Sequence, residues 1–322
     1  MPGEEREGVA FREFYKMFPD DAAAEAWFVR TRWPDGVTCP KCGSTNVTER
    51  TSRKPQPYRC RDCRGYFSVK TGTLMHSSPL GCQVWLEALF LLTTNLKGVS
   101  SRKLRRDLKI TQKTAWYLAH RIRETWEDAA TEEDPFDGPV EVDETYIGGK
   151  RKNMHAKKRR ELRGRGNVGK TAIFGARDRA TGRIKVMVRL NPDRQTFRFF
   201  VRNTVRPGAM LYTDGDTSYR RMPGYQHEAV NHGAGEYVRG MVSTNGLESF
   251  WAMLKRAHMG TYHKFSRKHL WRYADEFAGR HNDRPLDTLD QMTAMARGLD
   301  GKRLPYTVLI KDAPGVGSAE PT

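Results

Sequence analysis

Four cysteines and three acidic residues are the side chains whose type and spacing can do chemistry. Cys39, Cys42, Cys60 and Cys63 form C-x2-C-x17-C-x2-C, a spacing that suits a closed structural zinc site. Each C-x2-C turn can bring two thiolates to one metal, and two turns complete a tetrahedron. Gly43 follows the second cysteine and eases the tight turn. A segment with so few apolar residues needs a staple of this kind to fold. Cys82 reads as an ordinary buried residue. The ribbon's outer face is open to either DNA or protein.

The acids are Asp143 in "VEVDETYIGG", Asp214 in "MLYTDG" and Glu248 in "STNGLESFWAMLKR". Strand alternation puts Glu141 and Asp143 on one face and Glu144 on the other. Carboxylate oxygens suit Mg²⁺ or Mn²⁺, which keep positions for water and phosphate. Two such ions about 4 Å apart can activate a water or 3′-hydroxyl and stabilise the leaving oxygen. Lys255 follows Glu248 by seven residues, two helical turns, where an ammonium can hold a phosphate. Each acid alone has a plain explanation. "TDGD" has turn chemistry, and Asn245 with Glu248 matches a capping box, Asn at the N-cap and Glu three residues on. The three acids together with Lys255 point instead to metal-dependent phosphoryl transfer.

A third motif points elsewhere. "GRGNVGKT", residues 164 to 171, fits the P-loop pattern G-x-x-x-x-G-K-[ST]. A P-loop needs a strand before it and a helix after it. "AKKRRELRGR" is too charged for a buried strand, and "TAIFGARD" is rich in β-formers. A basic loop between strands, suited to DNA phosphates, is the better reading.

The elements that must position these groups follow from composition and periodicity. Lys plus Arg number 56 against 38 Asp plus Glu in 322 residues, a formal charge of +18. That surplus calls for a polyanionic partner, DNA above all. The polar opening "MPGEEREGVA" is no secretory signal, and "VWLEALFLL" (84 to 92) is too short to span a bilayer, so a cytoplasmic protein without membrane association is expected. The expected domains are an N-terminal helical segment (1–33), the zinc ribbon (34–78), a helix-turn-helix (79–128), an acidic linker (129–139), an α/β catalytic domain (140–290) and a C-terminal extension (291–322), disordered beyond about Asp312. In "GVSSRKLRRDLKITQKTAWYLAHRIRETW", Ser100 and Thr111 can cap two helices. Leu104, Leu108, Trp116, Ala119 and Ile122 would share an apolar face. Gln112, Lys113, Tyr117 and Arg121 would face DNA from the second helix, although an ordinary helical hairpin fits the same residues. Three strands, a helix, two more strands and then helices make a mixed-sheet α/β domain.

At this point the chain resembles the bacterial insertion-sequence transposases of the DDE class, in the ISXO-like group that joins a zinc ribbon to a compact catalytic core. "RWPDGVTCPKCGS" and "YRCRDCRGYFSVKTGTLMHSSPL" are similar to that group's ribbon. "KTAWYLAHRIR" resembles its helix-turn-helix, "VEVDETYIGGK" and "LYTDG" its first two catalytic strands, and "NGLESFWAMLKRAHMGTYHKFSRKHLWRYADEFAGRHNDR" its third block. The likeness spans roughly residues 11 to 285. It implies a multidomain α+β protein with a ribonuclease-H-like core and catalytic roles for Asp143, Asp214 and Glu248, with Lys255 trailing. It also implies two catalytic Mg²⁺ or Mn²⁺ ions, one structural Zn²⁺, and action on inverted-repeat and target DNA as at least a dimer. The third ligand stays open between Glu248 and Asn245, since members are described with either. Ser243 is a departure, because relatives more often carry His there. The rival expectation is a domesticated DNA-binding protein with an inactive core.

Overall fold

The computed structural model describes residues 7–50, 52, 54–126, 135–149, 154–161, 167–190, 192–214, 222–230 and 243–311. The chain divides into two compact units. One joins the residues up to Glu127 to Asp283–Lys311, and the other holds residues 128–282.

The first unit begins with α1 (Phe11–Met17) and α2 (Asp21–Arg32). Asp20 caps α2, its Oδ1 accepting the Ala23 N–H at 2.8 Å. The ribbon strands β1 (Val47–Glu49), β2 (Tyr58–Cys60) and β3 (Tyr66–Phe67) form a small antiparallel sheet in that order. α3 (Cys82–Thr94) is apolar nearly all round and buries Trp85, Leu86, Ala88, Leu89 and Leu92, so it forms the centre of the unit. α4 (Ser101–Asp107) and α5 (Gln112–Arg123) make the helix pair. Ser100 and Thr111 cap them, each side chain accepting an N–H three residues on at 3.2 Å. Leu104, Ala119 and Ile122 are buried and Leu108 and Trp116 pack at the edge of the same core.

The second unit carries β4 (Val140–Ile147), α6 (Ala156–Glu161), β5 (Thr171–Asp178), β6 (Ile184–Arg189), α7 (Arg194–Thr204), β7 (Met210–Asp214), β8 (Gln226–Val230), α8 (Asn245–Ala257) and α9 (Leu270–Asn282). The sheet order is β6-β5-β4-β7-β8. β4, β5 and β6 run antiparallel, while β7 and β8 run parallel to β4. This mixed five-stranded sheet has a ribonuclease-H-like layout. Val140, Val142, Phe174 and Ala176 pack against Phe197, Phe200 and Val201 of α7. On the opposite face Ile147, Ile173, Ile184 and Val186 meet Leu247, Phe250, Trp251 and Leu254 of α8 and Phe277 of α9. A π-helical segment, His258–Tyr262, ends α8, followed by His263 in the left-handed region. β5 starts at Thr171, so a strand stands where a P-loop requires a helix. Lys170 instead donates to Asn167 Oδ1 at 3.0 Å. Residues 164–166 of that motif lie outside the described residues.

Two expected boundaries need correction. The chain leaves the second unit at Asn282, not at 290. Asp283–Lys311, with α10 (Thr288–Arg297) and α11 (Tyr306–Ile310), returns to the first unit. Met292, Met295, Leu299, Leu304 and Leu309 enter the same core as Phe28, Phe67, Trp85 and Ile122. The N-terminal helices, the ribbon, the helix pair and this returning segment thus share one core. The reason is size, since a few tens of residues bury too little apolar surface to stand alone. The end of the expected linker also belongs to the second unit, for Phe136 is buried and bridges to Val205. Residues 129–134 and 312–322 are outside the described set. Among the described residues no helix is long and apolar enough to cross a membrane.

Candidate active site

The four cysteines converge. Cys39 Sγ lies 3.6 Å from Cys63 Sγ and Cys42 Sγ 3.7 Å from Cys60 Sγ, with all four sulfurs within 4.8 Å of one another. A tetrahedron with Zn–S bonds of about 2.3 Å has edges of about 3.8 Å, so the set fits zinc. The knuckles are built by backbone. Gly43 takes φ +72°, and its N–H bonds Cys39 O at 2.8 Å. The Cys63 N–H points at Cys60 Sγ from 3.5 Å, and this bond leads in lowering the Cys60 thiol to about 7.

The acids are assembled by strand register. β4 pairs in parallel with β7, Val140 opposite Leu211 and Glu141 opposite Tyr212. Three steps on from Val140 is Asp143, and three on from Leu211 is Asp214. The paired residues end at Glu141 and Tyr212, and each acid stands two steps beyond that pair on its own strand. Asp143 is half-buried, and its carboxyl is pushed up to about 6, first by burial and then by the charge of Asp214, with a smaller push from Glu248. Both of the other acids therefore act on Asp143. They are not drawn into one tight cluster, because among the described residues only the cysteines bring three or more ligand atoms within 4.8 Å. A raised carboxyl that feels two further carboxylates is a donor set that suits a divalent cation.

Glu248 lies one turn into α8 and is exposed, its Oε1 accepting from the Thr244 hydroxyl at 3.3 Å. The expected capping box is not formed. Thr244, not Asn245, precedes the helix, and Asn245 is its first residue and exposed. The capping role passes to Glu141. Its buried Oε2 accepts the Leu247 N–H at 3.1 Å, while its Oε1 takes Arg177 Nη1 at 3.1 Å and Arg179 Nε at 3.0 Å. A carboxylate at a helix N-terminus is favoured by the helix dipole as well. Lys255 stands exposed in the last turn of α8.

Two residues beside Asp143 escaped sequence reasoning. Trp251 Nε1 donates to Asp143 Oδ2 at 3.0 Å. Gly175, opposite Asp143 on β5, makes room for it, since a Cβ there would sit 2.6 Å from the indole ring. The available signal was a lone glycine in "TAIFGARD", which marks a close approach in a strand.

The expected DNA-reading side chains of α5 divide. Gln112 and Lys113 are exposed, Gln112 donating to Ser101 Oγ at 2.8 Å and Lys113 lying 4.5 Å over the Tyr306 ring. Tyr117 is half-buried and donates its hydroxyl to Leu304 O at 2.6 Å. Arg121 is only 4% exposed, donates to His76 O at 2.6 Å and stacks on Trp85. Arg121 therefore belongs to the interior and not to an open face. The chain that covers it and Tyr117 comes from residues far away in sequence.

Comparison with known proteins agrees with this geometry. Residues 135–282 match the ISXO2-like transposase domain, and residues 19–65 match the transposase zinc-ribbon domain. The chain is also similar to an uncharacterized protein in transposable element ISH50 of Halobacterium salinarum, 29% identical over 273 residues that span 81% of this chain and 91% of that protein. The chain thus carries a segment similar to the transposase zinc ribbon followed by one similar to the ISXO2-like transposase domain.

Proposed function

We propose that this transposase binds the terminal inverted repeats of its insertion sequence and performs metal-dependent strand cleavage and strand transfer, with Asp143, Asp214 and Glu248 as the metal-holding acids. The observation that supports the reading is the push that the charges of Asp214 and Glu248 add to the raised Asp143 carboxyl, together with the parallel pairing of β4 with β7, which ends two residues before Asp143 and Asp214. Mg²⁺ or Mn²⁺, when bound, supplies charge that activates an attacking hydroxyl and stabilises the leaving oxygen. The chain's own residues do the rest by positioning. Trp251 ties down one oxygen of Asp143 and so would orient the carboxylate that holds an ion. Lys255 offers an ammonium to a DNA phosphate, and Asn245 is the second choice as third ligand. In the cleavage step water attacks the phosphorus at the element's end, and the bond from phosphorus to the 3′-oxygen breaks. The freed 3′-hydroxyl then attacks a target phosphodiester and displaces that strand's 3′-oxygen. The four cysteines hold a structural zinc.

DNA as partner is supported by the +18 charge and by the exposed Gln112 and Lys113 at the start of α5. Paired element ends call for at least two copies of the chain. The test is Mg²⁺-dependent nicking of element-end DNA by the wild type beside Asp143→Asn. The expected loss in the variant is at least about 1000-fold, the scale on which an electrostatic transition-state contact acts. Cleavage by neither protein overturns the reading and leaves a zinc-ribbon DNA-binding protein with an inactive core.

A further inference from the structure

We infer that Arg179 is a positioning residue that holds the three acid-bearing segments in mutual register. The inference deepens the proposed function and rests on it for the meaning of the acids. Arg179 opens the turn between β5 and β6. That turn is fixed at both ends, the Arg179 N–H bonding Pro139 O at 3.0 Å and the Gly182 N–H bonding Asp178 O at 2.8 Å. The Thr181 hydroxyl adds a bond to Asp178 Oδ2 at 2.8 Å. From this anchored base the guanidinium reaches three separate pieces of chain. Its Nε donates to Glu141 Oε1 at 3.0 Å. Its Nη2 donates to Ser243 O at 2.6 Å and to Ser243 Oγ at 2.9 Å. Its plane lies 4.4 Å over the ring of Tyr212.

Each contact stands just ahead of a candidate ligand. Glu141 is two residues before Asp143, Tyr212 two before Asp214, and Ser243 two before Asn245 and five before Glu248. On a strand, residues two apart share a face, so fixing Glu141 and Tyr212 fixes the direction of Asp143 and Asp214. Fixing Ser243 sets the point at which α8 begins, and Glu248 lies one turn further on.

Neutralising Glu141 does not explain the arrangement, because Arg177 already pairs with it at 3.1 Å. What Arg179 adds is the bridge to Tyr212 and Ser243. Only a planar fork with several donors can bond two partners and stack on a third, and a lysine ammonium cannot. Ser243 also gains a role. The departure from His leaves a small hydroxyl that accepts one arm of the fork.

The test compares Arg179→Lys with Arg177→Lys, and uses Ser243→Ala as a milder third variant that removes only the hydroxyl contact. Four readouts apply: melting temperature, amide hydrogen exchange, Mn²⁺ binding by calorimetry, and the split of kcat from KM for element-end DNA. For Arg179→Lys the peptides covering 210–214 and 243–248 should exchange faster while β5 and β6 stay protected. Mn²⁺ affinity should fall about 10-fold, as when a ligand's supporting contact is lost. kcat should fall by up to about 100-fold with little change in KM, the cost of a small misplacement. Ser243→Ala should shift the same readouts the same way by less. Arg177→Lys should lower the melting temperature at least as much and leave exchange at 210–214 and Mn²⁺ affinity near wild type. If the two arginine variants behave alike, Arg179 is only an ion-pair partner and the inference is overturned. If wild type binds no Mn²⁺ yet Arg179→Lys loosens both segments, the anchoring stands and the catalytic reading falls. If wild type binds Mn²⁺ and Arg179→Lys changes neither exchange nor affinity, the reverse holds.

Discussion

The ribbon takes its four sulfurs from the 25 residues between Cys39 and Cys63 inclusive, whereas the acids from Asp143 to Glu248 are spread over 106. The sulfurs already stand at the spacing of a metal tetrahedron. Among the acids the Asp143 carboxyl is raised, first by burial and then by the charges of Asp214 and Glu248. Short-range knuckles, built from turns and one left-handed glycine, make the first site. Strand pairing, a helix start and an arginine fork make the second. A local site can be complete as soon as its turns form and its metal binds. A distributed site is only as good as the sheet beneath it.

The largest expected effect breaks the comparison at the ribbon. Chelation of zinc, or Cys60→Ser, should abolish amide protection across Val47–Phe67, because structural zinc contributes on the order of 10 kcal/mol to such folds. Zinc release and hydrogen exchange read this together. Withholding Mg²⁺ should leave protection in β4, β5 and β7 intact, and equal collapse at both places would erase the distinction.

Smaller effects come from glycines. At Gly175→Ala the new Cβ meets the Trp251 ring at 2.6 and 2.8 Å and Leu247 at 3.1 Å. Overpacking of this kind costs about 1–3 kcal/mol, so the melting temperature should drop and Trp251 emission should shift. At Gly43→Ala nothing lies within 4 Å and only φ +72° resists. A cost of about 1 kcal/mol is expected there. Equal losses at the two positions would contradict the close packing claimed beside Asp143.

A further effect is one of pH. The Asp143 carboxyl is raised from 3.8 to about 6, so the folded state holds its proton longer than the unfolded chain does. Its contribution to stability is full below about pH 3.8 and is lost as pH rises through about 6. Without added divalent ions, the melting temperature should therefore decline from pH 4 to 7 more steeply in wild type than in Asp143→Asn. Added Mn²⁺ should offset the decline in wild type alone. Parallel pH curves for the two proteins would remove the electrostatic account of the site.

Much of the scaffold was legible in the chain. The strands at 140–147, 171–178, 184–189, 210–214 and 226–230 carry β-branched residues between turn signals, and the cysteine spacing is a local pattern. What escaped depends on distant partners. The capping box at Asn245 and Glu248 fits the local pattern, but Glu141, over a hundred residues earlier, takes the helix N-terminus instead. Arg121 has the right helical phase for DNA, yet His76 and Trp85 claim it. The pairing of β4 with β7, which puts Asp143 and Asp214 on neighbouring strands, is a property of two strands and is written in neither alone.

One further consequence follows from the path of the chain between its two units. Asp283–Lys311 belongs with residues made before the sheet, so a ribosome must finish the whole second unit before the first can close. Until then the nascent N-terminal portion lacks Met292, Met295 and Leu309 and keeps part of its oily interior open to water. Translation order thus makes the ribbon-bearing unit, begun first, the last to be completed, and a message cut short after Asn282 carries all three acids but leaves the first unit unfinished.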